Sequence, residues 1–171
     1  IDDVSIKELD ATPAFAVKDF NGDTWLSLGD NILNNTAIGK LALQSSTGGS
    51  NSAFGSRSLF SNTSGSSNSA FGVNSLRSNV DGYNNVAFGV SSLYSNTSGA
   101  ENVAIGNSAL YSNTTGTYNL ALGNSALRSN TTGGNNLAFG SNALYLNATG
   151  TSNVAIGTSA LYGNTGGSNN I

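Results

Sequence analysis

The side chains that could do acid–base chemistry in this sequence are few and far apart. The sequence contains no histidine and no cysteine, so the usual nucleophile–base pairs and thiolate metal ligands are missing. From residue 35 onward, Asp81 and Glu101 are the only carboxylates, and two carboxylates are what glycoside hydrolysis requires. Both lie in loops, about one repeat apart, where a solubilising role explains them better. We predict no catalytic residues and no enzyme activity.

A second group of oxygen ligands lies near the N terminus. Asp19, Asn21 and Asp23 surround Gly22 in the order D-x-N-G-D, which is part of a calcium-loop pattern. The bidentate glutamate that completes such a loop is missing, so a β-turn is the better interpretation. We predict no metal site and no cofactor.

An aromatic and basic group recurs at one position of a repeat. Its members are Phe60, Arg77, Tyr94, Tyr111, Arg128, Tyr145 and Tyr162. Exposed tyrosine and arginine are frequent in binding hot spots. The candidate binding column therefore comprises Tyr94, Tyr111, Arg128, Tyr145 and Tyr162, with a host-surface glycan as the candidate ligand. The alternative is that this column packs against a neighbouring chain.

These side chains are positioned by a repeat. An asparagine opens each unit at residues 51, 68, 85, 102, 119, 136, 153 and 170, a constant spacing of 17 residues, and a unit of 16 residues opens at residue 35. The consensus is N-x-A-[IFL]-G-x-x-[AS]-L-x-x-N-T-[TS]-G-x-x, and we number its positions from 1 at the opening asparagine. A fixed short period indicates a solenoid.

The repeat and the charge pattern divide the chain at the same place. Residues 1–34 carry a net charge of −5 and residues 35–171 a net charge of +2. We assign residues 1–34 to an N-terminal linker and capping β-module, and residues 35–171 to eight repeats of 16–17 residues plus the start of a ninth. Because the sequence opens on Ile1 and closes two residues into a unit, we expect it to be part of a longer protein.

Each unit should contain a short strand. Apolar residues at positions 2 and 4, separated by alanine, indicate a β-strand, and the glycine at position 5 suits a bend or a close backbone approach. We expect positions 2 and 4, with Leu120, Ile105 and Leu122, to enter the core, and Ala104 and Ala121 to form a close-contact face. The columns expected in the core or at an interface are represented by Ala104, Ile105, Leu110, Ala121, Leu122 and Leu127.

The leucine at position 9, as in Leu110 and Leu127, should anchor a second segment. That segment could be a strand or a single helical turn, and we favour a strand. The closing N-T-T-G is a turn. Strand, turn, strand and turn make one coil of a parallel β-solenoid, and eight coils at about 4.8 Å would span roughly 40 Å.

The apolar core of one chain looks thin for so long a coil. Three or four apolar side chains per unit, at about 1.5–3 kcal/mol each, must offset about 1–2 kcal/mol of backbone entropy for each residue. We therefore expect several chains to pack together, most simply three.

The polar positions of the repeat have structural interpretations as well. The asparagine at position 12 predicts a stacked amide ladder that satisfies turn backbone groups. It also creates glycosylation sequons automatically, at Asn62, Asn96, Asn113, Asn130 and Asn147. Threonine pairs such as Thr114–Thr115 raise an ice-binding hypothesis, but Val80, Ala148 and Gly166 interrupt the hydroxyl pattern.

The N-terminal part predicts a hairpin. Phe15, Val17 and Phe20 surround a first strand, Asn21–Asp23 is a turn signal, and Trp25–Leu28 is the returning strand. Solenoids need atypical ends, so we expect this hairpin to cap the stack. A net charge of −3 provides no basic footprint for nucleic acid, and no apolar run is long enough for membrane insertion.

The units NVAIGNSALYSNTTGTY and NLALGNSALRSNTTGGN resemble repeats of phage tail fibres and related bacterial surface fibres. They are less closely similar to the shorter S-V-A-I-G-type repeats of trimeric autotransporter adhesin heads. The resemblance covers residues 35–171. It implies an obligate homotrimer, a parallel β-roll or intertwined β-prism shaft, and a role in attachment.

We therefore expect an all-β, trimeric parallel β-solenoid or β-roll, a β-prism-like shaft with a small N-terminal β-hairpin cap. The expected function is the structural shaft segment of a trimeric fibre used in attachment, foremost a phage tail fibre. The alternatives are a bacterial surface adhesin, a glycan-binding β-solenoid module and, with less support, an ice-binding protein. The expected location is the virion or the bacterial cell surface, with further fibre, baseplate or anchor segments as partners at the ends.

Overall fold

The structure is a computed structural model that describes residues 16–18, 24–28, 33–44 and 46–171. Its ten strands form one sheet in sequential order. The strands are β1 Ala16–Lys18, β2 Thr24–Leu28, β3 Thr36–Ile38, β4 Ser52–Phe54, β5 Ser69–Phe71, β6 Val86–Phe88, β7 Val103–Ile105, β8 Leu120–Leu122, β9 Leu137–Phe139 and β10 Val154–Ile156. The described residues contain no helix, so the predicted all-β class is confirmed.

The first two strands form the predicted N-terminal hairpin. Strand β1 pairs antiparallel with β2, and β2 pairs antiparallel with β3, the first strand of the repeats. The hairpin therefore hydrogen-bonds the open edge of the solenoid, as a cap should. Residues 19–23, for which we predicted the turn and which include Phe20 and the D-x-N-G-D group, lie outside the described residues, as does Phe15.

Strands β3 to β10 are parallel and pair in register, so that each residue lies beside the same position of the next unit. The coil-to-coil hydrogen bonds also continue outside the sheet. Leu110 N–H donates to the Ala126 carbonyl at 2.9 Å, and Thr114 N–H donates to the Thr131 carbonyl at 2.9 Å. The predicted parallel β-solenoid is thus confirmed, with backbone hydrogen bonds around most of each coil.

The second segment of each coil is not the strand that we expected. Ser108 and Leu110, at positions 7 and 9, have φ of 54° and 50°, and other units repeat this pattern. Ala109 N–H donates to the Gly106 carbonyl, and Asn113 N–H donates to the Leu110 carbonyl at 3.1 Å. Two successive turns therefore replace both the strand and the helical turn. Left-handed φ at leucine costs about 1–3 kcal/mol, which burial of its side chain offsets by a similar amount.

The side chains of the strands point the opposite way from our expectation. Ala104 and Ala121 are fully buried and form the core with Leu110 and Leu127, whereas Ile105 is 44% exposed. Because side chains alternate across a strand, an inward position 3 sends positions 2 and 4 outward. The coil is narrow, and we attribute the inward alanine to the limited room between the sheet and the position 9 leucine. The predicted core role of Ile105 and Leu122 is therefore wrong for a single chain.

Two ladders of asparagine amides complete the interior. At position 12, Asn113 Nδ2 donates to Asn96 Oδ1 at 2.8 Å and to the Gly116 carbonyl at 3.0 Å, as predicted for this column. At position 1, Asn102 Nδ2 donates to the same Gly116 carbonyl at 2.8 Å. No buried side-chain nitrogen or oxygen among the described residues lacks a hydrogen-bond partner. One chain therefore satisfies its own polar interior, and the thin apolar core alone does not require neighbouring chains.

Candidate functional site

The aromatic and arginine column forms a continuous stack along the solenoid. Tyr94 and Tyr111 are parallel within 7°, with ring centroids 5.0 Å apart, and Tyr145 and Tyr162 are parallel within 8° at the same distance. Parallel coils pair at about 4.8 Å, so identical positions in neighbouring coils fall at the separation that stacked rings require. The repeat itself therefore positions the column.

Two arginines interrupt the rings without breaking the stack. The guanidinium carbon of Arg77 lies 5.6 Å from the Phe60 ring centroid and 5.5 Å from that of Tyr94. That of Arg128 lies 5.1 Å from Tyr111 and 5.7 Å from Tyr145. These are cation–π distances, and an arginine enclosed by two rings has a restricted orientation.

The stack limits what the column can bind. A sugar ring stacks on the free face of an aromatic ring, but the facing surfaces in this column are occupied by the neighbouring coil's side chain. The rings and guanidinium groups are half-buried, and Tyr162 is 43% exposed. Ring rims, hydroxyls and guanidinium N–H groups are what remain, so the column is better suited to polar or anionic ligands than to stacked sugars.

The two carboxylates of the repeats occupy other positions of the repeat than the position 10 column. Asp81 is exposed at position 14 of its coil, in a turn, and Glu101 is exposed at position 17 of the next coil. Glu101 Oε1 accepts a hydrogen bond from Asn84 Nδ2 at 3.3 Å. Among the described residues, no three potential metal-ligating side chains cluster. The absence of catalytic function stays a prediction.

The outer face of the parallel sheet is a second candidate surface, which the sequence reasoning missed because it assigned these side chains to the core. Position 4 forms an apolar row along β3 to β10, and position 2 adds a second apolar row from β6 to β10, since β3 to β5 have threonine or serine there. In the position 4 row, Phe54, Phe71 and Phe88 stack at centroid distances of 4.7 and 4.3 Å. The exposed fractions include 45% for Phe88 and 55% for Phe139. A flat apolar strip of this kind is typical of an interaction surface.

The five sequons lie on the interior ladder. Asn62, Asn96, Asn113, Asn130 and Asn147 are fully buried. Their Nδ2 groups donate hydrogen bonds inside the coil, as Asn130 Nδ2 does to Asn113 Oδ1 at 2.8 Å. A glycan on such a nitrogen cannot be accommodated in the folded chain.

The threonine hydroxyls at position 13 also have a structural partner. Thr114 Oγ1 donates to the Thr131 carbonyl at 3.0 Å, and Thr131 Oγ1 donates to the Ala148 carbonyl at 3.0 Å. Because these donors bridge neighbouring coils, they are not free for an ordered water layer. The ice-binding hypothesis gains no support from this column.

The asparagine side chains at position 1 form a second hydrogen-bonded ladder, which the sequence analysis did not predict. Asn119 donates both its backbone N–H, at 3.0 Å, and its Nδ2, at 3.1 Å, to Asn102 Oδ1. The available signal was an asparagine that recurs at every unit start while adjacent positions vary.

Comparison with models of protein families, with curated proteins and with solved structures gave no match to this chain. A helix with the length and apolarity to cross a membrane does not occur in the described residues.

Proposed function

We propose that this chain is a structural shaft segment of a homotrimeric attachment fibre, foremost a phage tail fibre, with a bacterial surface adhesin as the related alternative. The observation that carries the proposal is the in-register strand pairing from coil to coil, together with the repetition of most backbone hydrogen bonds outside the strands. Such a stack can be lengthened by adding units, whereas a chemical site needs unlike residues at one point. We infer that the repeats serve to make the fibre long and stiff.

The outer sheet face supports the trimeric part of the proposal. Its two rows contain Val86 with Phe88, Val103 with Ile105, Leu120 with Leu122, Leu137 with Phe139 and Val154 with Ile156. Apolar strips of this length are rarely left in water on soluble monomers. A second and a third copy would cover them in register, because each copy has the same coil spacing.

The shaft function predicts that the length follows the number of whole units. Deleting residues 102–135 joins Glu101 to Asn136 and preserves the order of positions, so we expect a folded rod about 10 Å shorter. Small-angle scattering or electron microscopy would measure the change. The matched control deletes residues 102–126 and joins Glu101 to a position 9 leucine, so we expect it to lose the cooperative unfolding transition. Equal tolerance of both deletions would contradict a register-dependent shaft.

The trimer predicts a solution mass of three times the 17.2 kDa of one chain. In the double variant Ile105→Lys/Leu122→Lys, two charges enter the outer sheet face, so we expect dissociation to monomers with unchanged β circular dichroism. Analytical ultracentrifugation would report the mass. The control variant Thr115→Lys/Thr132→Lys adds the same charge at exposed position 14 and should stay trimeric. A monomeric parent protein would refute the trimer, and a trimeric lysine variant would refute this face as its interface.

A further inference from the structure

Arg128 stands out from the other cations of the repeats by its surroundings. Its guanidinium lies between Tyr111 and Tyr145, and each of these rings is stacked on a further tyrosine, Tyr94 and Tyr162 respectively, at 5.0 Å. The side chain is half-buried, and the rings on both sides of its guanidinium restrict its movement. Little conformational entropy would therefore be lost when its N–H groups bind a ligand.

The guanidinium of Arg128 has no acceptor of its own within the described part of the chain. None of the side-chain hydrogen bonds there involves its N–H groups, although rings lie on both sides. Arg77 differs, because its Nη1 donates to the hydroxyl of Tyr94 at 3.1 Å. In that pair, the guanidinium group and the phenol hydroxyl of neighbouring coils lie within hydrogen-bonding distance of each other. Arg128 is thus a positioned cation whose planar set of donors is unused.

We propose that Arg128, which lies between the rings of Tyr111 and Tyr145, binds the carboxylate groups of an acidic polysaccharide. A carboxylate matches the bidentate donor geometry of a guanidinium, and phenol hydroxyls can donate to its remaining lone pairs. A neutral sugar would need a free ring face, which the stack does not offer at this point. The straight column suits a linear ligand that carries the same charged group at regular intervals.

The ligand would lie along the fibre axis. Arg77 and Arg128 are three coils apart, which corresponds to about 14 Å, so one extended oligomer can reach both. The column residues at position 10 lie in the turn segment of each coil, whereas the apolar strip lies on the outer face of the parallel sheet. Trimer formation through the sheet face therefore leaves the column available on each chain. This ligand class deepens the attachment part of the proposed function and rests on it.

The test measures fluorescence anisotropy of labelled oligogalacturonate with the full chain at low ionic strength. We expect binding that weakens with salt and is about tenfold weaker in Arg128→Gln, the loss of one charged hydrogen-bonded contact. Arg128→Lys should lie between these, because a lysine keeps the charge and loses the planar fork. The control Arg57→Gln removes an equal charge from the exposed position 7 and should stay within about twofold of the parent.

Several outcomes would overturn the site. Equal losses in Arg128→Gln and Arg57→Gln would show general charge attraction, and binding of neutral dextran as tightly as oligogalacturonate would exclude anion recognition. Binding of dextran sulfate alone would refute the carboxylate assignment. Circular dichroism of each variant checks its fold. A protein that is trimeric and rod-shaped but binds no oligogalacturonate refutes this site while leaving the shaft function intact, so the two failures are distinguishable.

Discussion

Replacing Gly123 with alanine will destabilise the solenoid by about 3 kcal/mol or more. Gly123 has φ of 139°, a region that L side chains rarely adopt, and a Cβ there would lie 2.5 Å from the Gly140 carbonyl oxygen and 2.6 Å from its carbon. Backbone strain of this kind costs about 1–3 kcal/mol, and the contact adds to it because neighbouring coils cannot separate without losing hydrogen bonds. We expect the midpoint of thermal unfolding to fall by about 10 °C.

The control for this prediction is Gly163→Ala. A Cβ at Gly163 would meet no atom within 4 Å, and Gly163 is not among the positive-φ glycines. Its substitution should change the free energy of unfolding by no more than about 0.5 kcal/mol. If Gly123→Ala unfolded at the same temperature as Gly163→Ala, the close approach of successive coils at position 5 would be refuted.

Removing one amide from an interior ladder will have a comparable effect. In Asn113→Ala, Asn96 Oδ1 loses the Nδ2 donor of residue 113, and an Asn130 N–H loses its acceptor, Asn113 Oδ1. The Gly116 carbonyl keeps its bond from Asn102. Two unpaired buried polar groups cost about 1–3 kcal/mol each, and the lost side chain leaves a cavity. We expect a loss of roughly 3–5 kcal/mol in denaturant unfolding.

Two further variants separate the amide chemistry from side-chain volume. Asn113→Asp keeps the side-chain shape but replaces the Nδ2 donor with an oxygen that faces Asn96 Oδ1 and the Gly116 carbonyl, both acceptors. It also buries a negative charge. We therefore expect it to lower the free energy of unfolding at least as much as Asn113→Ala does. The exposed Asn124 at position 6 is the control, and Asn124→Ala should be nearly neutral. An aspartate variant as stable as the parent protein would mean that the ladder contributes no directional hydrogen bonding.

Much of the fold could be predicted because it depends on periodicity. The 17-residue spacing predicts stacked coils, the position 12 asparagine predicts an amide ladder, and the glycine at position 5 predicts close backbone approach. Each of these three predictions holds because every residue of one coil lies beside the residue at the same position of the next coil. The candidate column was also predictable, since residues at a fixed position must line up along a solenoid.

The orientation of the side chains was not predictable in the same way. Alternation requires positions 2 and 4 to face away from position 3, but it leaves open which face is inside. Hydrophobicity favoured Ile105 and Leu122 for the interior, whereas the narrow coil admits alanine opposite the leucine of position 9. The same limitation applies to the turns at Ser108 and Leu110, because positive φ at serine and leucine runs against their local preferences.

The sequence by itself determined the architecture: the coil length, the parallel register, the N-terminal hairpin and the line of aromatic and arginine side chains. Only the tertiary structure decided which side of the strand is buried, and that the rings turn their faces to one another. The physical reason is that register is set by repetition along the chain. Burial and the facing of side chains depend instead on how the coil closes across its interior, where Leu110 and Ala104 pack in one core and the side chains of Asn102 and Asn113 are also fully buried.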